Sequence, residues 1–219
     1  MEPQTLRRLS GLALVAAGPL CLLGGLLHPF VDGHAHDVEA LLRDHLAGSL
    51  ALLAGELLLV LGLPGVYGWL APRLGRMGLV GFVLYLVGNV ASAIPHLVVM
   101  GFAGRELAEN HPGVIAENDA ILPGRAFEVE QLVTGLAFMV GLLLFGIALL
   151  RSRSLPWWVG AIAIAGAILP FVPVPVTPVV TGLQIELLRG LAVAVLGVLA
   201  IRSVAPVPRT RPRQPAAAA

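Results

Sequence analysis

Apolar runs near 20 residues long recur along almost the whole chain, separated by short polar connections. At 1.5 Å per residue such a run climbs about 30 Å, the thickness of a bilayer's hydrocarbon core. A soluble fold has no room to bury so many. Of the 219 residues 57% are hydrophobic and 12% charged, against about 25% charged in a soluble domain. The pattern predicts an all-α integral membrane protein, with the lipid bilayer as its main partner. Six spans are expected near 9–30, 45–63, 77–101, 129–150, 156–173 and 182–201, forming one transmembrane bundle over residues 1–203. Residues 204–219, rich in Pro, Arg and Ala, read as a disordered tail.

The arginines orient these spans. Arg7 and Arg8 precede the first, Arg73 and Arg76 join the second to the third, and Arg151 and Arg153 join the fourth to the fifth. Arg202, Arg209, Arg211 and Arg213 follow the sixth. Positive charge gathers in cytoplasmic loops, so both termini are expected in the cytoplasm. Trp157 and Trp158 then open the fifth span at the inner interface, where an aromatic belt belongs. All six histidines and most carboxylates fall toward the other side. Abundant Ala, Gly and Arg with no lysine at all suggest a GC-rich bacterium, hence a plasma membrane. The apolar stretch after Arg7-Arg8 continues to Leu27 without a small-x-small cleavage pattern. It reads as a retained span rather than a secretory or twin-arginine signal. A net charge of +1 offers no argument for nucleic acid, and the single cysteine, Cys21, excludes an intrachain disulfide and a Cys-based zinc site.

The spans also hint at repetition. Arg8 precedes His28 by twenty residues and Arg76 precedes His96 by twenty, with Pro29 and Pro95 beside the histidines. Each even-numbered span begins with polar groups: His45, then Glu130 and Gln131, then Gln184 and Glu186. Three pseudo-repeated helical hairpins would account for this layout. The connection 170–178, with four prolines, is expected to be stiff and extended, and the longest loop, 102–128, to hold a short helix around 104–110.

Polar residues inside the spans mark where chemistry would reside. Glu56 lies near the midplane of the second span, and a carboxylate there costs about 2.5–3.5 kcal/mol unless it is partnered or protonated. His45, Ser49, Leu52 and Glu56 are spaced 4, 3 and 4, one helical stripe. Asn89, Ser92 and His96 make a second stripe, with Asn89 deep enough to be the natural partner of Glu56. Glu186 and Arg189, three apart, are expected to pair locally in the first turns of the sixth span. Asn89, Gln131, Glu186 and Arg189 read as structural polar partners around the site.

Three chemistries suit these residues. His28 and His96, at matched depth on parallel spans, fit the axial positions of a haem b. His28, His45 and His96 with a carboxylate fit a divalent metal with an open position for water. Glu56, His45 and Glu130 fit acid/base catalysis, because a carboxylic acid in apolar surroundings can donate a proton. The loop run His34-Ala35-His36-Asp37 offers at most a weak, solvated metal site. The reading carried forward is a membrane-embedded enzyme acting on a lipid or isoprenoid-like substrate from the outer leaflet, through an outward-facing His/Glu pocket. A proton-coupled small-solute transporter is the alternative, and its short spans would call for a homo-oligomer or a small pathway. A non-catalytic membrane assembly protein is the third reading. No P-loop, dinucleotide fingerprint, HExxH or GxSxG sequence occurs.

Overall fold

Inside a bilayer no water is present to satisfy backbone N–H and C=O groups, so a chain that crosses it folds into helices or closed barrels. The computed structural model describes residues 2–27, 38–43, 46–118, 125–175 and 177–204, and these are helical almost throughout, with no strand among them. The long elements are α1 (Pro3–Leu27), α3 (Leu46–Gly88), α7 (Arg125–Ser152) and α9 (Pro178–Arg202). The shorter ones are α2 (Val38–Arg43), α4 (Ile94–Val98), α5 (Arg105–Asn110), α6 (Pro112–Asn118) and α8 (Trp157–Ile168). Two π-helical stretches, Asn89–Ala93 and Val99–Gly104, flank α4, so the chain stays helical from α3 to α5 while its register shifts at each.

Four helical stretches are long and apolar enough to cross a membrane: Pro3–Leu27, Leu46–Asn110, Arg125–Ser152 and Val179–Arg202. Their most apolar windows have mean hydropathies of 1.9 to 2.5, yet no more than half of each window is buried. The outer surface is therefore apolar too: Leu61, Leu132, Val133 and Val179 all face outward. Contiguous apolar exposure on that scale fits a lipid environment rather than water.

The 65-residue stretch is not one rod. Gly75 has φ 62° and ψ −165°, a backbone region open essentially to glycine alone. It folds the helix into two arms, 46–74 and 76–88. Tyr67 of the first arm stacks on Phe82 of the second with ring centroids 4.1 Å apart. The first arm runs some ten residues past the expected boundary at 63, because Pro64 is accommodated inside the helix. Further departures lie at the polar end. Residues 38–43, expected as loop, form α2, and the expected short helix near 104–110 is α5, followed directly by α6. Leu41, Ala108 and Ile115 bury one another and tie α2, α5 and α6 into a small cap. The proline-rich connection starts with a 3₁₀ turn, Leu169–Phe171, before Val172 becomes extended. Gln184 secures it by donating to the carbonyls of Leu169 (2.8 Å) and Val172 (2.6 Å). The expected tail falls, from residue 205 on, outside the described residues.

Around the bundle the order is α1, α3, α7, α8 and α9, and α9 closes on α1. Small residues make the seams. Gly11, Gly18 and Gly25 of α1 meet Gly197, Gly190 and Gly182 of α9 in antiparallel order. A Cβ on Gly11 would lie 2.8 Å from the Gly197 carbonyl oxygen, and one on Gly190 2.9 Å from that of Gly18. Gly55 and Gly62 bring the first arm of α3 equally close to Cys21 and Ser10 of α1. In lipid, burying Leu against Leu gains little over burying it in acyl chains, so such close backbone approach is what holds helices together. The ends follow: Arg7 Nη2 donates to the Ser203 carbonyl at 3.1 Å, bringing the start of α1 to the end of α9.

Candidate functional site

Glu56 is ten residues into α3 and Arg189 eleven residues into α9, so each lies roughly 15 Å from the start of its helix. The two side chains meet. Arg189 Nη2 lies 2.6 Å from Glu56 Oε1, with both side chains almost fully buried. The same guanidinium holds Glu186 one turn earlier, through Nε at 3.0 Å and through Nη2. Its Nη1 approaches Asn89 Oδ1 at 3.5 Å. Its carbon lies 5.1 Å from the centre of the Phe138 ring, a cation–π contact. Arg189 thus directs its planar fork of donors at acceptors from three different helical stretches.

This arrangement corrects two expectations. Arg189, rather than Asn89, partners Glu56. Asn89 instead donates to the Tyr85 carbonyl at 2.6 Å. The pair Glu186–Arg189 does form, yet not in the first turns of its helix. Thr177 caps α9, accepting from the Val180 N–H at 3.3 Å, and Pro178 occupies the first turn. The helix therefore begins earlier than 182, which carries Arg189 to its middle. A Thr-Pro pair at a helix start is a sequence signal for such a beginning.

A pocket of about 90 Å³ adjoins the cluster. Glu56, Glu186 and His96 contribute to its wall, with Leu52, Leu97 and Ile185 as apolar lining. Gly25 and Gly182, which meet at the seam between α1 and α9, also line it. At about 30 Å³ per water, that space accommodates roughly three water molecules or a small part of a larger ligand. Glu56 Oε2 is buried without a hydrogen-bond partner, as is the Tyr85 hydroxyl. Cys21 Sγ lies 3.9 Å from Glu56 Oε1.

The other expected residues distribute as follows. The stripe Ser49, Leu52 and Glu56 is buried on one face. The stripe Asn89, Ser92 and His96 splits: Asn89 turns to Arg189, His96 to the pocket, and Ser92 to Gln131 of α7 (3.4 Å). The π-helical stretch Asn89–Ala93 widens the turn and rotates the residues off the 3.6-residue spacing. Glu130 is not among the pocket's lining residues. It accepts from Gln131 Nε2 (2.7 Å) and from Thr134 Oγ1 (3.4 Å), in a separate polar group at the start of α7. His28, His34, His36 and His45 lie outside the described residues, so the expected haem and metal sets are represented by His96 alone.

Among the described residues, the donors that converge as metal ligands would are Cys21, Glu56 and Glu186, within 4.8 Å of one another. The Arg189 guanidinium already sits between the two carboxylates as an internal cation. Fully ionised, two acids and one base leave one negative charge unbalanced. One further positive charge, a proton or a ligand cation, neutralises the cluster. No protein-family model, no curated protein and no solved structure matches this chain.

Proposed function

We propose that this chain is a six-span protein of a bacterial plasma membrane, with both termini in the cytoplasm. Its buried acid cluster would perform acid/base chemistry on a lipid or isoprenoid-like substrate admitted from the outer leaflet. In this topology the two arms at Gly75 are separate crossings and α8 is another. Trp157–Phe171 is short for a span, and the extended connection to Thr177 would complete it. Parity supports that count. The end of α7 and the end of α9 both carry arginines, so the segment between them must cross once and return.

The observation that carries the catalytic reading is the pocket wall. Two carboxylates and a histidine border a small, mainly apolar space, and one Glu56 oxygen has no partner. One proton too few for neutrality makes Glu56 and Glu186 a site that can hold and release a proton, with Arg189 fixing the geometry. His96 is the second candidate for proton transfer. The test uses the full chain in vesicles of bacterial lipid extract, with lipids and isoprenoids profiled by mass spectrometry before and after incubation. One apolar species should be consumed and a product appear, and Glu56→Gln, checked for folding, should abolish the turnover.

A proton-coupled carrier is the second reading, favoured by the π-helical stretches on either side of Pro95, which interrupt regular helix beside the pocket. If no species is consumed, and an imposed pH gradient decays faster in wild-type vesicles than in Glu56→Gln vesicles, the carrier replaces the enzyme. A reporter fused at the C-terminus should read cytoplasm, and an external signal would reverse the proposed orientation.

A further inference from the structure

At the end of the bundle opposite the cap, the turn at Gly75 forms a concave site of about 320 Å³ with the end of α7. Arg73 and Arg76 flank the glycine, and Arg151 arrives from a segment 75 residues later. No carboxylate is among the residues lining the site. None of the three arginines has a salt-bridge partner among the described residues. Isolated basic residues in loops are explained by membrane insertion alone. Convergence of three from two separate turns on one cavity is not, because like charges gathered without a counter-ion repel one another.

The backbone adds to the same potential. The left-handed Gly75 interrupts the helix, so the second arm starts at Arg76 with its first N–H groups at the turn. A helix start carries partial positive charge and suits an anion. The end of α7 presents the opposite polarity, but the Leu149 carbonyl there is already taken by Ser152 Oγ at 2.9 Å. What remains is a small basin with three exposed guanidinium forks, whose planar donors match two phosphate oxygens at once.

We propose that this basin binds a phosphate-bearing anion, either an anionic phospholipid headgroup or a free phosphate species. The inference is independent of the acid pocket and of its chemistry. It is tested by titrating the detergent-purified full chain with short-chain phosphatidylglycerol, short-chain phosphatidylcholine and pyrophosphate, read by native mass spectrometry. Saturable binding of phosphatidylglycerol or pyrophosphate is expected, with phosphatidylcholine much weaker. Each arginine near a charged lipid surface is worth about fivefold in affinity, so Arg73→Gln with Arg151→Gln should weaken binding roughly thirtyfold. Arg105→Gln with Arg125→Gln removes equal charge from the other end and should change it less than about twofold.

Because the inner arginines also guide insertion, Ser152→Trp provides a second variant that fills the basin and keeps every arginine. It should abolish binding with topology intact. Displacement of the lipid by pyrophosphate assigns a free anion, and failure to displace it assigns the headgroup. Equal weakening by both arginine pairs, unchanged binding in Ser152→Trp, or no saturable binding of either anion overturns the proposal.

Discussion

The half of the bundle near the chain ends and the half beyond Glu56 are built from the same helices by different means. Near the ends, Leu14, Leu63, Val66, Leu70, Leu149 and Ala200 are buried in one apolar cluster, and Gly11 and Gly197 close the seam. Beyond Glu56, the interior holds Glu56, Asn89, Glu186 and Arg189, a pocket, and a helix loosened into π-turns. The first half is held by shape. The second is held by charge, and charge is far less tolerant of partial disruption. A protein that needed only to be a stable bundle could repeat the first solution throughout, which is why the second half is the place to look for function.

The largest expected effect comes from removing the central cation. Arg189→Ala leaves two carboxylates buried against each other and should destabilise the fold by about 3–5 kcal/mol, measured by reversible unfolding in detergent. The triple variant Glu56→Gln, Glu186→Gln, Arg189→Met should regain most of that loss, because neutral groups of similar volume replace the whole network. A triple variant as unstable as Arg189→Ala would mean that shape, not charge, holds this half.

Next comes the seam. Gly11→Leu overfills the contact with Gly197 and should cost about 1–3 kcal/mol in the same assay. The proposed turnover, per folded molecule, should be unaffected if the two halves are as distinct as the geometry suggests. A smaller effect is expected at the hairpin. Tyr67→Leu loses the stacking on Phe82 and should cost about 0.5–1.5 kcal/mol. Smallest is Asn89→Leu. Interhelical hydrogen bonds in membranes average about 0.6 kcal/mol, so its stability loss should be slight. A loss as large as that of Arg189→Ala would instead promote Asn89 to an equal member of the charge cluster.

Much of this was legible in the residues. Glu56 stood out as a carboxylate in an apolar run, and its stripe with Ser49 and Leu52 is buried as helical spacing requires. The i,i+3 spacing of Glu186 and Arg189 predicted their pairing. The partnership of Arg189 with Glu56 was hidden for two reasons. One is the start of α9, which the apolar run alone places too late although Thr177-Pro178 carries the signal. The other was that these residues are joined only by the closure of α9 onto α1 and the first arm of α3, a matter of packing rather than periodicity. The fate of Asn89, Ser92 and His96 could not be read from spacing at all, because a π-turn changes the period on which the reading depends. Glu130 looked equivalent to the other acids by its place at a helix start, yet local partners on its own helix take it up.

The sequence by itself determined that this chain is helical and apolar enough for a membrane, where its arginines fall, and that Glu56 had to find a partner. Those follow from local composition and the cost of bare charge in hydrocarbon. Only the tertiary structure decided which partner it found. That choice depends on the depth at which each helix begins and on glycine seams that let α1, α3 and α9 approach closely enough for one guanidinium to hold two acids.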